Sequence, residues 1–403
     1  MSGNAPGCVK TQKVNPGVNV NRFPVRAGNS FSLLVNAPEY YPAMLQAIRG
    51  ARRYVLMEMY LVESGYVADD FIEAFADAVQ RGVTVQLLLD AFGARAFSDD
   101  NREQLARAGV QLEFYNPLQL SRPARNLLRT HRKFLIVDGI HAFVGGAGIA
   151  DVFAGQRGWR DTVLEIRGTV VQDWHMLFSR SWREWAISPV VHAAAPLSDS
   201  KNQRGRVACT ARGTTNLEIQ RILINRGRHS RHRVWLATAY FVPSRKIRRV
   251  LRKAAFRGVD TRLLLPGPIT DHAAVRFASR RFYARLLRYG VRIYEYSGCF
   301  MHSKVVLVDD WCSIGSSNLD RWNLRWNLEA NQEVEDGVFA GEVADMLQAD
   351  FRRSSEIDYR QWRQRSGMQR IKEWMWGKMD IFLAQFMPGD KLEGDEAKSR
   401  DED

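Results

Sequence analysis

Two short segments of this sequence carry the same ionisable side chains at the same spacing. They are His131-x-Lys133-x4-Asp138 and His302-x-Lys304-x4-Asp309. A single His-x-Lys pair is most often an inert surface pair. Two copies in one chain, each followed by a glycine-rich turn, instead predict that both belong to one chemical site.

Histidine and lysine in this pattern suit the transfer of a phosphate group. Imidazole titrates near neutrality, so one histidine can attack phosphorus while the other protonates the leaving alkoxide and later deprotonates the incoming alcohol. The two lysine ammonium groups neutralise the phosphate oxygens. The turn after the second motif adds hydrogen-bond donors in the Ser316 hydroxyl and the Asn318 amide.

Both motifs run into apolar segments that are typical of buried strands, Phe134–Val137 and Val305–Val308. Side chains on a strand alternate between its faces, so each histidine shares a face with its lysine. The aspartate comes seven positions after the histidine, and strict alternation puts it on the opposite face. We therefore expect Asp138 and Asp309 to orient the local fold from behind.

The other histidines have no duplicate of this kind, and we expect them to be structural or on the surface. They are His141, His175, His192, His229, His232 and His272.

The elements around the motifs also occur twice, in the same order. Four pairs of landmarks recur at nearly constant separation: Tyr60 and Tyr240, Arg81-Gly-Val and Arg257-Gly-Val, Ala108-Gly-Val and Tyr289-Gly-Val, and the two histidines. This order predicts two homologous lobes, residues 31–190 and 206–355. A flexible N-terminal extension, 1–30, precedes them, and a linker rich in Ala, Pro and Ser, 191–205, joins them.

Each lobe alternates strand and helix patterns. Tyr54–Val62 and Val83–Leu89 are predicted strands, and Phe71–Val79 is a predicted helix that Gly82 ends. This alternation predicts an α/β fold, in which each lobe is a mainly parallel β-sheet flanked by helices. The lobes should be related by a pseudo-twofold axis and share one active site.

Composition and charge limit the class of protein and the kinds of partner to expect. The 403 residues carry a formal net charge of +14, and 45% are hydrophobic, which excludes a wholly disordered chain. No apolar run is long enough to cross a bilayer, and the N-terminus lacks the apolar core of a signal peptide. Four widely separated cysteines argue against a zinc site and a disulfide framework. The charge predicts an anionic partner: nucleic acid, an anionic membrane surface or a phosphorylated substrate.

The C-terminal segment 356–389 has the pattern of an amphipathic helix. Its apolar positions and interspersed arginines and lysines suit either insertion at a membrane surface or packing on the second lobe. These positions are Trp362, Ile371, Trp374, Met375, Trp376, Met379, Phe382 and Phe386. The acidic tail, 390–403, is expected to be disordered.

At the motifs, the sequence resembles the phospholipase D superfamily, whose signature is HxKx4D followed by a glycine-rich turn with asparagine. Within it, the likeness is to bacterial cardiolipin synthases of the peripheral type without N-terminal transmembrane helices. The segments that carry the resemblance are Arg129-Thr-His-Arg-Lys-Phe-Leu-Ile-Val-Asp138-Gly, Gly158-Trp-Arg-Asp161-Thr, Gly315-Ser-Ser-Asn-Leu-Asp320 and Asn327-Leu-Glu-Ala-Asn331.

This resemblance implies a metal-independent reaction without a cofactor, through a phosphohistidine. It implies that His131 is the nucleophile and His302 the general acid and base. By the family pattern, Glu329 orients His302 or its partner across the lobe interface, and Asp161 plays that part in the first lobe. A histidine's second nitrogen needs such a carboxylate to fix its tautomer.

The sequence departs from the family pattern in the first glycine-rich turn. Gly146 and Gly148 stand where the second turn has Ser316 and Asn318. Backbone amides can still approach a phosphate there, but the side-chain donors are missing. The two half-sites are therefore not equivalent.

The resemblance implies an enzyme that transfers a phosphatidyl group from one phospholipid, phosphatidylglycerol, to an alcohol of a second lipid. It would work as a peripheral protein on anionic phospholipids at the cytoplasmic side of the inner membrane, with no obligatory nucleic acid. A phospholipase D-type hydrolase or nuclease stays open, as does a non-catalytic nucleic-acid-binding protein. The acceptor and the oligomeric state stay open as well.

Overall fold

The computed structural model describes residues 22–119, 121, 123–155, 157–192, 199, 201–210, 217–320, 327–365 and 367–368. Within them, strands and helices alternate along the chain as the sequence predicts.

The first lobe contains eight strands and four helices among these residues. The strands are β1 (Arg26–Val35), β2 (Tyr54–Met59), β3 (Thr84–Asp90), β4 (Gln111–Tyr115), β5 (Arg129–Thr130), β6 (Lys133–Val137), β7 (His141–Gly145) and β8 (Thr162–Gly168). The helices are α1 (Ala37–Arg49), α2 (Tyr66–Gln80), α3 (Asp99–Arg107) and α4 (Val171–Trp185). Short 3-10 turns cover Pro123–Leu127 and Asp151–Phe153.

The second lobe repeats this plan. Its strands are β9 (Gln203–Cys209), β10 (Arg233–Ala237), β11 (Phe241–Val242), β12 (Asp260–Pro266), β13 (Arg292–Tyr296), β14 (Val305–Val308), β15 (Trp311–Gly315), β16 (Leu319–Asp320), β17 (Asn327–Leu328), β18 (Ala330–Glu335) and β19 (Ser354–Glu356). Its described helices are α5 (Glu218–His229), α6 (Arg245–Phe256), α7 (Ala273–Arg280), α8 (Tyr283–Arg288), α9 (Gly337–Arg352) and α10 (Tyr359–Arg363).

One continuous sheet joins the lobes. Its order is β19-β13-β12-β10-β14-β15-β18-β9-β1-β8-β7-β6-β2-β3-β4. Outward from the central β9–β1 pair, the two halves have the same order of equivalent strands apart from the additional edge strand β19, which confirms two homologous lobes of α/β type. Strands β9 and β1 are antiparallel, as a pseudo-twofold relation requires.

The prediction of mainly parallel sheets was wrong. Parallel pairs in the large sheet occur only in β2-β3-β4 and β10-β12-β13, and its other pairs are antiparallel. The reason is local, because the motif strand of each lobe turns directly into its neighbour. Strands β6 and β7, like β14 and β15, form hairpins, and a short connection can join only antiparallel strands.

The lobes begin earlier than predicted. Strand β1 starts at Arg26, inside the expected N-terminal extension, and β9 starts at Gln203, inside the expected linker. These two strands make the seam between the lobes, so both segments are partly structural. Residues 1–21 of the extension and 193–198 of the linker lie outside the described residues.

Alternate side chains along a strand belong to different hydrophobic cores. On β2, Tyr54 and Leu56 face a central core that both lobes share, whereas Val55 and Met57 face the outer core of the first lobe. Helices α4 and α9 contribute to the central core, where the Trp174 indole donates to Gln332 Oε1 across the lobes at 2.9 Å. The lobes are therefore packed as one body around the site.

The helix stop that the sequence predicts is confirmed. Helix α2 ends just before Gly82, whose φ of 83° lies in the left-handed region that favours glycine. Its repeat partner Gly258 has a φ of 87°, so this landmark marks the same turn in both lobes.

The two motif aspartates hold the ends of neighbouring strands. The Asp138 carboxylate accepts hydrogen bonds from the backbone N–H groups of Arg52, Arg53 and Tyr54 at 2.8–2.9 Å, where β2 begins. Asp309 does the same before β10, for residues 231–233 at 2.9–3.0 Å. Both lie at the end of the motif strand away from the histidine.

The C-terminal segment is described only in part. Trp362 does not face a membrane, because its buried ring packs on Tyr283 with centroids 5.0 Å apart in the core of the second lobe. The other apolar positions of the expected helix and the acidic tail lie outside the described residues. Among the described helices, none has the length and apolar character to cross a membrane.

We expect Asp138→Ala to lower the free energy of unfolding by about 2–3 kcal/mol, because it leaves three backbone donors unpaired in a partly buried turn. The matched variant Asp309→Ala should cost about 1 kcal/mol, since its turn is more open to water. Urea denaturation measures both. A loss of activity per folded molecule without any loss of stability would show that these carboxylates act in the reaction instead.

Candidate active site

Each motif histidine is attached to the opposite lobe by its backbone. Strand β5, which precedes His131, pairs with β17 of the second lobe, and His131 N–H donates to the Leu328 carbonyl at 2.8 Å. Reciprocally, His302 N–H donates to the Arg160 carbonyl of the first lobe at 2.8 Å. The two motifs therefore meet at the lobe interface, each beside the segment that carries the other lobe's carboxylate.

The carboxylates pair with the histidines in the same crossed manner. His131 Nδ1 lies 3.0 and 3.2 Å from the two carboxylate oxygens of Glu329, and His302 Nδ1 lies 2.6 Å from Asp161 Oδ2. Of the alternatives for Glu329, the geometry selects His131, the partner of His302. The expectation that Asp161 serves its own lobe was wrong, because it contacts His302. In both pairs Nε2 is left for chemistry.

The two lysines occupy equivalent positions in their half-sites. Lys133 Nζ donates to the His131 carbonyl at 2.8 Å, and Lys304 Nζ donates to the His302 carbonyl. Each ammonium group has three N–H donors, so two remain for phosphate oxygens. Both side chains are buried, which concentrates their charge in a medium of low dielectric constant.

Burial has the largest effect on the pKa values of the two motif histidines and the two motif lysines. It lowers the pKa of Lys133 to about 7 and that of Lys304 to about 8, although Glu329 and Asp161 oppose the change. Burial and the lysine charges hold the pKa of His131 well below its usual value and lower that of His302 to about 4. Each histidine responds to both lysines, as a single shared site requires.

The two carboxylates differ in character. Burial raises the pKa of Glu329 to about 8, against the opposing effects of Lys133 and the Ser316 hydrogen bond. Burial also acts to raise the pKa of Asp161, but His302 and Lys304 outweigh it and hold the pKa below its usual value. Asp161 therefore stays ionised beside His302, whereas Glu329 takes up a proton as the pH falls through about 8.

The two glycine-rich turns support the site unequally. The Ser316 hydroxyl donates to Glu329 Oε2 at 2.5 Å, so it fixes the carboxylate. Asn318 is fully buried, and neither polar atom of its side chain has a hydrogen-bond partner within the described part of the chain. Side chains could not replace the glycines of the first turn, because a Cβ on Gly146 would lie 2.5 Å from Asp161 and one on Gly148 2.6 Å from the Leu61 carbonyl.

Aromatic rings that the sequence analysis did not select surround the histidines. The Tyr60 ring lies 4.8 Å from the His131 ring and 5.0 Å from Lys133 Nζ. Trp159 and Phe300 lie 5.2 and 5.6 Å from His302. A signal for Tyr60 was present, because it is a repeat landmark that directly follows the strand paired with β6.

A buried polar network under the first motif was also missed. Asp90 accepts hydrogen bonds from the backbone N–H groups of Phe92, Gly93 and Thr130 at 2.9–3.0 Å. The Thr130 hydroxyl donates to Glu58, so both neighbouring strands fix the residue that precedes His131. Single carboxylates at strand ends carry no sequence pattern, and only the folded sheet brings them under the motif.

This arrangement can bind and cleave a phosphodiester. Two histidines, each paired through Nδ1, lie with both lysines in one buried, cationic site, and the lysines can stabilise negative charge on the phosphate oxygens as the transition state forms. Two histidines with unlike carboxylate partners can divide the roles of nucleophile and acid.

Comparisons with known proteins agree with this geometry. Residues 44–182 and 223–354 match the family model described as "Cardiolipin synthase, PLD-like domain". The chain is 33% identical to cardiolipin synthase A of Pseudomonas aeruginosa (strain LESB58) over 84% of its own length and 70% of that protein. It is 32% identical to a cardiolipin synthase of Geobacillus kaustophilus (strain HTA426), over 88% and 72%.

The fold is also that of a solved phosphatidylserine synthase from Haemophilus influenzae Rd KW20, with a TM-score of 0.70 and 13% identity. The match covers 91% of this chain and 96% of that one. At 13% identity, this similarity is evidence for the fold only. The two-segment family match spans both histidine–lysine strands and their crossed carboxylates, so the chain belongs to the cardiolipin synthase family of phospholipase D-like proteins.

Proposed function

We propose that this protein is a cardiolipin synthase that takes a phosphatidyl group from phosphatidylglycerol and transfers it to a hydroxyl of a second lipid. Membership of the family identifies the chain as a phosphatidyltransferase. The observation that carries the mechanism is the crossed pairing of His131 with Glu329 and of His302 with Asp161, between two buried lysines.

In the first step His131 Nε2 forms a bond to phosphorus. The bond from phosphorus to the leaving glycerol oxygen breaks, and His302 donates a proton to that oxygen. In the second step an alcohol of the acceptor lipid gives its proton to His302 and its oxygen bonds to phosphorus. The bond between His131 and phosphorus then breaks, so both histidines return to their starting state.

The unlike carboxylates support this division of roles. An acid must exist as imidazolium, which the lasting negative charge of Asp161 stabilises at 2.6 Å from His302. A nucleophile must be neutral, and burial together with the lysines keeps His131 neutral. Glu329 holds His131 through Nδ1 at 3.0 Å, which leaves Nε2 to attack phosphorus. A bound phosphodiester opposes the lysine charges and so raises the pKa of His302.

We infer that the partner is an anionic phospholipid surface on the cytoplasmic side of the inner membrane. Six large apolar side chains, here called the apolar rim, are 39–60% exposed in segments that follow strands at the histidine end of each lobe: Tyr66, Phe92, Leu118, Leu127, Val152 and Ile269. Val152 is next to Phe153, whose ring lies 5.6 Å from His302. The rim and a net charge of +14 suit shallow, peripheral contact with anionic lipid.

We expect His131→Asn to lower turnover by about a thousandfold or more, because it removes the nucleophile. His302→Asn should be similarly slow, because it removes the acid of the first step and the base of the second, but a phosphatidyl group that reaches His131 should persist there. Incubation with phosphatidylglycerol, proteolysis and mass spectrometry measure this adduct.

The same digest assigns the roles. An adduct on His302 in the His131→Asn variant, with none on His131 in the His302→Asn variant, would reverse the proposed assignment. His141→Asn is a suitable control, because His141 pairs with Glu165 outside the site. A wild-type protein that yields phosphatidic acid and no cardiolipin would make it a hydrolase.

We expect kcat/KM to fall as the pH rises through about 7 to 8, because the lowered pKa values of Lys133 and Lys304 leave these side chains neutral above that range. The rate constant falls rather than rises with pH because the free enzyme needs both ammonium charges to bind phosphate. Initial rates on lipid in mixed micelles measure the profile. A flat profile from pH 6 to 9 would contradict cationic binding by these lysines.

We expect the protein to bind phosphatidylglycerol vesicles and to lose about tenfold in affinity when salt is raised from about 0.1 to 0.5 M, because salt screens charges near a membrane. The double variant Phe92→Ser, Ile269→Ser should bind more weakly at both salt concentrations. Vesicle sedimentation measures both effects.

The matched control is Phe256→Ser, which changes an apolar side chain that is 80% exposed at the far end of α6. Equal loss of binding in this control and in the rim variant would show that the rim has no special part. Equal binding to phosphatidylcholine vesicles would refute recognition of anionic lipid.

A further inference from the structure

The walls of the site beside the two histidines differ in charge. On the first lobe, the loop after β3 presents Phe92 with the Arg95 guanidinium stacked on its ring at 4.5 Å. On the second lobe, the equivalent loop after β12 presents Asp271 and His272. One wall therefore carries a cation, whereas the other, which also carries Ile269 of the apolar rim, carries a carboxylate and is here called the anionic wall.

The anionic wall is a connected cluster of polar side chains. The Tyr240 hydroxyl donates to Asp271 Oδ2, and His272 Nε2 lies 3.8 Å from the same oxygen. The rings of Tyr240 and His272 are 5.9 Å apart. His272, which we expected to be structural or on the surface, thus belongs to the cluster, and its exposed side chain makes the cluster accessible from solvent.

Contacts connect this cluster to the second histidine. The Tyr240 ring lies 6.5 Å from Phe300, whose ring lies 5.6 Å from His302. The Thr238 hydroxyl donates to the Tyr240 carbonyl and accepts from Leu319 N–H, next to the buried Asn318 amide, which has no partner among the described residues. The cluster therefore borders the half-site in which His302 handles the alcohol oxygen.

A carboxylate in this position repels a phosphate and accepts hydrogen bonds from hydroxyl groups. An ionised carboxylate has about four lone-pair positions, so Asp271 can accept from a ligand while it accepts from Tyr240. This fits a molecule with one hydroxyl near His302 and a second one a few bonds away. A glycerol headgroup has this property.

We propose that Tyr240, Asp271 and His272 form an acceptor subsite that binds the second hydroxyl of a polyol headgroup while His302 deprotonates the first. The inference rests on the proposed function, since it needs a phosphatidyl group on the enzyme. No bond changes at the second hydroxyl. It donates a hydrogen bond to Asp271, while the first oxygen bonds to phosphorus and its proton goes to His302.

The test is a competition between two small acceptors in one reaction. The enzyme receives phosphatidylglycerol with equal amounts of propylene glycol and n-propanol, which differ by one hydroxyl, and mass spectrometry gives the ratio of the two phosphatidyl alcohols. We expect the wild type to favour propylene glycol, and Asp271→Asn to reduce that preference by about tenfold, as the loss of a hydrogen bond to a charged acceptor predicts.

The ratio of the two products distinguishes binding of the second hydroxyl by Asp271 from a general effect of Asp271 on activity. An effect of Asp271 on Lys304 alone would slow both products equally, and a change in folding would do the same. Asp271→Glu should keep the preference, and so should the control Glu63→Gln, which changes an acid in the loop that follows β2. An Asp271→Asn variant with active transfer and an unchanged ratio would overturn the subsite.

Other outcomes are also decisive. A wild type that makes neither cardiolipin nor either phosphatidyl alcohol would overturn the proposed function and the subsite with it. If ethanolamine outcompetes propylene glycol in the wild type but not in Asp271→Asn, the subsite recognises an ammonium group and the polyol assignment is wrong.

Discussion

The site depends on two histidine–carboxylate pairs that cross the boundary between the lobes. Neither lobe can orient its own histidine, because the partner carboxylate and the backbone acceptor both come from the other lobe. Any shift of one lobe against the other would lengthen both pairs at once. The continuous sheet and the buried Arg160–Asp350 ion pair, at 2.7 Å, hold the lobes in register.

Burial destabilises the charged forms of the histidines, lysines and carboxylates in the site, and their interactions with one another offset part of this cost. Desolvation disfavours every charge in the site, which lowers the pKa values of both lysines and both histidines. The carboxylates offset part of this cost, since an unpaired buried charge would be strongly destabilising. An incoming phosphodiester brings the negative charge that the lysines lack, so the site is complementary to an anionic substrate.

The two halves are related by a repeat but are not copies. Ser316 fixes Glu329, whereas Gly146 must be glycine because Asp161 lies where a side chain would be. Burial raises the pKa of Glu329, whereas His302 and Lys304 hold that of Asp161 below its usual value, so the pairs differ in protonation, which suits two histidines with different tasks. The loops beyond β3 and β12 extend this difference to the walls of the site, where one presents Arg95 and the other Asp271.

The sequence by itself determined the repeat, the α/β class, the motif strands and the identity of the motif bases, because these rest on local patterns. It failed where distant segments meet. The direction of the strand pairs, the exchange of Asp161 and Glu329 between lobes, and the burial of Trp362 were decided by tertiary structure. Spacing along a chain fixes which face of its own strand a side chain takes, but only the packed lobes fix which partner stands opposite.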